Sequence, residues 1–106
     1  MDIGRLTEAE KLFLWRRRLG LTQMEAAIKL GVSTDQIWTW EDGNMKIPMP
    51  TINVVSPNDV EICVLKRRRA NMTQKEVAKQ LKVSRLWVNK MESGDVSVDR
   101  LVSFWS

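Results

Sequence analysis

Apolar residues recur along this chain at three- and four-residue intervals, and the runs open behind a threonine, serine or asparagine, most of them closing at a glycine or asparagine. Leu12, Trp15 and Leu19 mark the buried face of a first helix that opens at Thr7. There Thr7-Glu8-Ala9-Glu10 places Glu10 for a capping box, and the helix stops near Leu19-Gly20. Thr22 caps a second helix over Gln23 to Leu30, and Ser33 caps a third from Thr34 to about Asp42. The next stretch breaks the pattern. Pro48, Pro50 and the β-branched run from Thr51 to Val55 exclude a helix, while Ile47, Ile52, Val54 and Val55 are too apolar for a flexible tether. An ordered, extended linker is expected, with room for a short strand. Ser56-Pro57-Asn58-Asp59 restarts a helix with proline in its first turn and either Ser56 or Asn58 as the cap, running to Ala70-Asn71. Helices over Thr73 to Leu81 and Arg85 to Glu92 follow, then a last one within Ser97 to Trp105 that turns Leu101, Val102 and Trp105 to one side. The pattern predicts an all-α chain of about seven helices.

The pattern also repeats. Displaced by 51 positions, the 29 residues Arg16 to Asn44 align without a gap on Arg67 to Asp95, and twelve positions are identical. They are Arg16, Arg17, Arg18, Thr22, Gln23, Glu25, Ala27, Leu30, Val32, Ser33, Glu41 and Gly43 with their counterparts. In the second copy Val77, Ala78 and Leu81 share one helical face, and Val88 and Met91 share another, so two helices with narrow apolar stripes pack crosswise. Ala27 and Ala78 fall where those helices approach closest. Gly31 suits the positive φ needed to leave the helix, and Lys82 at the matching position is expected to take the left-handed conformation at some cost.

Composition narrows the function. With 106 residues each half is near the lower size limit for a single core. Seven basic and seven acidic side chains occupy residues 1–53, against ten basic and six acidic in residues 54–106, so the net charge of +4 resides in the second half. A basic helical half suggests a polyanion, and duplex DNA suits a helical reader. Neither a leader pattern nor an apolar run long enough to span a bilayer is present, which points to the cytoplasm. Cys63, the single cysteine, aligns with Leu12 and reads as a small core residue. No histidine, metal-ligand cluster or phosphate-binding glycine loop occurs, so no enzyme, cofactor, metal or small-molecule ligand is expected.

The segment Arg-x-x-x-x-[Leu/Met]-Thr-Gln-x-Glu-x-Ala-x-x-Leu-x-Val-Ser, then an apolar position and Glu-x-Gly, stands at Arg16 to Gly43 and again at Arg67 to Gly94. It resembles the Cro/C1-type helix-turn-helix regulators, the XRE family of phages and bacteria, whose fold is lambda-repressor-like. The resemblance implies two tandem domains, at 5–44 and 56–106, joined by the linker 45–55. It implies ion pairs from Arg16 to Glu41 and from Arg67 to Glu92, and a fourth helix in the second copy only. The fifth helix, which often carries the dimer contact in that family, is missing from both. The implied function is sequence-specific binding of double-stranded DNA by a transcription regulator, a repressor of a phage, plasmid or bacterial operon associated with the nucleoid. The alternative is a protein-binding module on the same scaffold, of the antitoxin or regulator-partner type.

In a helix-turn-helix the second helix of the pair offers its first turns to base edges in the major groove. In the second copy this puts Arg85, Leu86, Asn89 and Lys90 outward as base readers, with Gln74, Lys75, Lys79, Arg68 and Ser84 as backbone contacts. Gln74 could instead brace the reading helix. The first copy offers Thr34, Asp35 and Thr39, with Gln23 behind them, and is the poorer reader because Asp35 and Asp42 repel phosphate. Trp38 faces outward with no core role, and a protein contact is preferred to a DNA contact for it. A homodimer with two reading helices about 34 Å apart is expected, the alternative being a monomer that uses both copies on one face of the duplex.

Overall fold

The computed structural model describes residues 3–54 and 56–106, and among them the regular structure consists of seven α-helices with no strand. They are α1 (Glu8–Arg18), α2 (Gln23–Leu30), α3 (Thr34–Glu41), α4 (Asp59–Arg69), α5 (Gln74–Leu81), α6 (Arg85–Ser93) and α7 (Asp99–Trp105). The chain divides into two units, Arg5–Val55 and Ser56–Ser106, the latter joined by Met1–Gly4.

Local chemistry sets most helix starts. Thr7, Thr22, Asn58 and Thr73 each accept a backbone N–H from the glutamate three residues on, and each glutamate carboxylate accepts the N–H of its cap. These four capping boxes satisfy donors that a helix start would leave bare. Ser33 and Ser84 cap α3 and α6 through their hydroxyl oxygens alone. Only one box, at Thr7, is foreseen in the sequence reading, although Thr-Gln-x-Glu spells the same device twice more. At the start of α4, Asn58 rather than Ser56 is the cap, so Pro57 lies just before the helix instead of in its first turn. At the ends, Gly31 and Lys82 both adopt the left-handed conformation, with φ of 70° and 58°, and Asn71 takes the place of Gly20 with φ of 55°. The lysine accepts the strain because the chain must reverse there to begin α6.

Each unit has its own core. In the first, Leu12, Ala26, Ala27, Ile37, Trp40 and Ile52 are buried together; in the second, Cys63, Val77, Ala78, Val88, Met91 and Leu101. Cys63 thus holds the place of Leu12, as its alignment implies. Helix α2 packs on α3 and α1 on α3, as α5 packs on α6 and α4 on α6. Backbone bonds agree at matching positions: Leu21 N–H to Arg16 C=O at 3.0 Å and Met72 to Arg67 at 3.1 Å, Val32 to Ala27 at 3.0 Å and Val83 to Ala78 at 3.1 Å.

The units part after Gly43 and Gly94. In the second, α7 covers the core with Leu101, Val102, Phe104 and Trp105, tied down by Lys66 Nζ donating to the Trp105 carbonyl at 3.1 Å and Arg100 donating to the Leu81 carbonyl at 2.9 Å. In the first, the extended segment does that work: Met45, Met49, Ile52 and Val54 lie against the core, and the buried Trp40 indole donates to the Ile47 carbonyl at 2.7 Å. Prolines at 48 and 50 forbid a helix, so the chain packs on this core in extended form. The segment is therefore part of the first unit's packing. The side chain of Ile47 is exposed, contrary to its reading as too apolar for water, because its backbone is what the tryptophan holds. Val55 lies outside the described residues. Helix α1 brings a second correction: Leu14 is buried and Leu19 exposed, whereas Leu19 is expected inside. Leu19 is the C-cap, where the chain turns away from the core.

Candidate nucleic-acid interface

One polar cluster recurs at the heart of each unit. Arg16 grips Glu41 with both ends of its guanidinium, Nε to Oε2 at 2.7 Å and Nη2 to Oε1 at 3.1 Å, while Nη1 donates to the Leu21 carbonyl at 3.1 Å. Arg67 grips Glu92 in the same way, at 2.8 and 3.1 Å, and donates to the Met72 carbonyl at 3.1 Å. The amides of Gln23 and Gln74 add a bond to the same carboxylates, at 3.2 and 2.9 Å. Both glutamates are buried. Paired and bonded in this way, each carboxylate ties the last turn of α3 or α6 to the first turn of α2 or α5, and the two helices of each pair are fixed at both ends.

In the second unit this cluster underlies two adjoining grooves. One, about 530 Å³, is lined by Arg67, Met72, Thr73, Gln74, Lys75 and Arg85. The other, about 340 Å³, is lined by Gln74, Arg85, Leu86 and Asn89. Arg85 is the first residue of α6 and belongs to both. The N-terminus of α5, with its partial positive charge, opens onto the first groove between Lys75 and Arg85, an arrangement suited to an anion.

The predicted readers are accordingly brought together: Arg85, Leu86 and Asn89 are exposed around one groove. Lys90 is exposed further along α6, and Lys79 lies one turn beyond Lys75 on α5. Arg68 is exposed on the last turn of α4. Ser84 is occupied as a cap, its oxygen accepting the Trp87 N–H at 3.1 Å, with its hydroxyl proton left to donate outward. Gln74 takes the bracing role while lining both grooves. In the first unit Thr34 and Asp35 are exposed, but the Thr39 hydroxyl donates to the Asp35 carbonyl at 2.8 Å and so serves its own helix. Trp38 stands exposed beside them.

Sequence reasoning misses two further exposed apolar residues of the first unit's helix pair. Met24 and Ile28, one turn apart on α2, are more exposed than Trp38 itself. Aligning the repeats reveals them, since Lys75 and Lys79 stand at the matching positions.

Two capping carboxylates are electrostatically distinct. The Thr22 backbone N–H and then its hydroxyl hold Glu25 below the usual glutamate value, and Thr73 does the same to Glu76. The Cys63 thiol is pushed up to about 11, first by burial and then by the charges of Asp59 and Glu92, with Lys66 opposing. It carries no reactive thiolate. No helix among the described residues is long and apolar enough to cross a membrane. Compared with known proteins, the chain matches no family model, no curated protein and no solved structure.

Proposed function

We propose that this chain is a sequence-specific double-stranded DNA-binding regulator of the Cro/C1-type helix-turn-helix class, and that α6 is its reading helix. One observation carries this: Arg85, Leu86 and Asn89 surround a groove at the start of an exposed helix, flanked by Lys75 and the N-terminus of α5, in the half of the chain that holds the positive charge. Lys75, Lys79 and Arg68 supply charge to the phosphate backbone, which orients the protein without reading sequence. Arg85 takes the two acceptors of a guanine, Asn89 an adenine edge and Leu86 a thymine methyl. The Arg67–Glu92–Gln74 cluster holds α5 and α6 rigidly against each other, so the readers meet the groove already arranged. We assign it the role of a repressor that acts by occupying a promoter, in the cytoplasm with the nucleoid.

Selection of duplexes from a random pool, followed by fluorescence anisotropy across a salt series, tests the reading. The selected duplex should bind at least about a thousandfold tighter than a scrambled one, and affinity should fall steeply with salt. Equal affinity for all sequences, or none at low salt, would count against it.

A further inference from the structure

We propose that the exposed side of α2 and α3 in the first unit is a self-association surface, on which a second copy of this chain docks through the same residues about a two-fold axis. This stands on the first unit alone and does not depend on DNA binding.

Met24, Ile28 and Trp38 are 64%, 74% and 60% exposed. Their counterparts in the second unit are Lys75, Lys79 and Asn89, of which Lys75 and Asn89 line adjoining grooves that share Gln74 and Arg85. The two units hold their helix pairs by the same hydrogen bonds, Met24 and Ile28 stand one turn apart on one side of α2, and Trp38 holds the α3 position whose counterpart, Asn89, lines the groove adjoining that of Lys75. On a matching scaffold, these three positions are basic or polar in one unit and apolar in the other. Single exposed apolar residues need no explanation, but three large ones gathered on one helix pair mark a contact site.

A second copy fits this surface better than DNA or a strongly charged partner. Residues 5–55 carry seven basic and six acidic side chains, so two copies meet here without net repulsion, whereas phosphate would meet Asp35 and Asp42. A two-fold contact must be self-complementary, and an apolar centre meeting itself satisfies that. The same two helices carry both signs, exposed Lys29 on α2 and exposed Asp35 on α3, so opposite charges are available to a self-contact. The three side chains offer roughly 400 Å² of the ~800 Å² that each partner of a stable pair covers, in the form of the few large central anchors that dominate such contacts.

Sedimentation equilibrium on the full chain without DNA tests this, comparing wild type with M24K/I28K/W38N. Each substitution installs the residue that the second unit carries at the matching position, so the scaffold accepts it, and circular dichroism confirms folding. Wild type should form dimers in a concentration-dependent way, and the triple variant should dissociate about a hundredfold more readily. K75A/K79A should leave association unchanged. Ile28→Lys alone gives the same comparison should the triple variant fold poorly. A wild type that stays monomeric up to high concentration, or a folded variant that dimerises as well as wild type, overturns the proposal. So does a monomeric wild type that engages duplex DNA or another protein through Trp38.

Discussion

Replacing Arg67 by methionine should destabilise the second unit far more than the loss of a surface charge would. The substitution keeps the aliphatic stem but removes the guanidinium, leaving the Glu92 carboxylate, whose side chain is only 3% exposed, without the two bonds at 2.8 and 3.1 Å that now neutralise it. Breaking a buried pair by deleting one partner costs about 3–5 kcal/mol, because the surviving charge remains desolvated. A unit of this size is stable by only about 3–8 kcal/mol, so Arg67→Met should bring it close to unfolding at room temperature. Glu92→Leu should cost a similar amount. The double variant R67M/E92L removes both charges, and the two apolar side chains can occupy the space together, so its loss should be much smaller than the sum of the single losses. A double-mutant cycle from urea unfolding followed by circular dichroism should give a coupling of about 2–3 kcal/mol. A coupling near zero, with each single substitution costing less than about 1 kcal/mol, would mean that the pair behaves as an exposed one and that the cluster does not hold α5 against α6.

Lys82→Gly should stabilise the protein by about 0.5–1 kcal/mol in urea unfolding, because the lysine sits at φ 58° where Gly31 serves the first unit without strain; a loss would refute the assignment of strain. Glu25 and Glu76 have folded values below the usual 4.5, so their contribution is fully present above that pH and disappears as pH falls through the lower folded values. The urea midpoint should hold steady down to about pH 5 and then decline, less steeply in E25Q/E76Q, and equal slopes would remove the capping carboxylates from the account. Cys63 should resist a thiol reagent at pH 8 until the chain unfolds, and rapid stoichiometric labelling of the native protein would contradict its burial. Under the DNA reading, Arg85→Ala should cost about 1–3 kcal/mol and relax preference at one base pair, while Lys79→Ala should weaken all sequences alike and lower the salt slope by about one unit. The opposite pattern, with Thr34 decisive and Arg85 silent in binding assays, would move the reading helix to the first unit.

The sequence by itself determined the helices and their order, because the forces that start and stop a helix act within four residues. A threonine with a glutamate three positions on is a capping box wherever it stands, and an asparagine or glycine after a basic last turn ends the helix by backbone geometry alone. The repeat was legible for the same reason: identical caps and apolar spacing at one displacement specify the same local structure twice. Tertiary structure decided what lies between elements. Nothing in the neighbourhood of Gln74 says whether its amide reaches outward or turns in; the buried carboxylate of Glu92, 18 residues away, captures it at 2.9 Å. Periodicity marks Leu12 on the inner face of α1 but cannot rank Leu14 against Leu19, since covering a helix face depends on segments remote in sequence. The extended stretch reads as a linker because proline forbids a helix, and only packing shows it closing the first core as α7 closes the second. Met24 and Ile28 carry no signal in the first copy taken alone; set against Lys75 and Lys79 of the second they become outward positions, and the fold puts them in water, because burial is a property of the assembled surface and not of the residue.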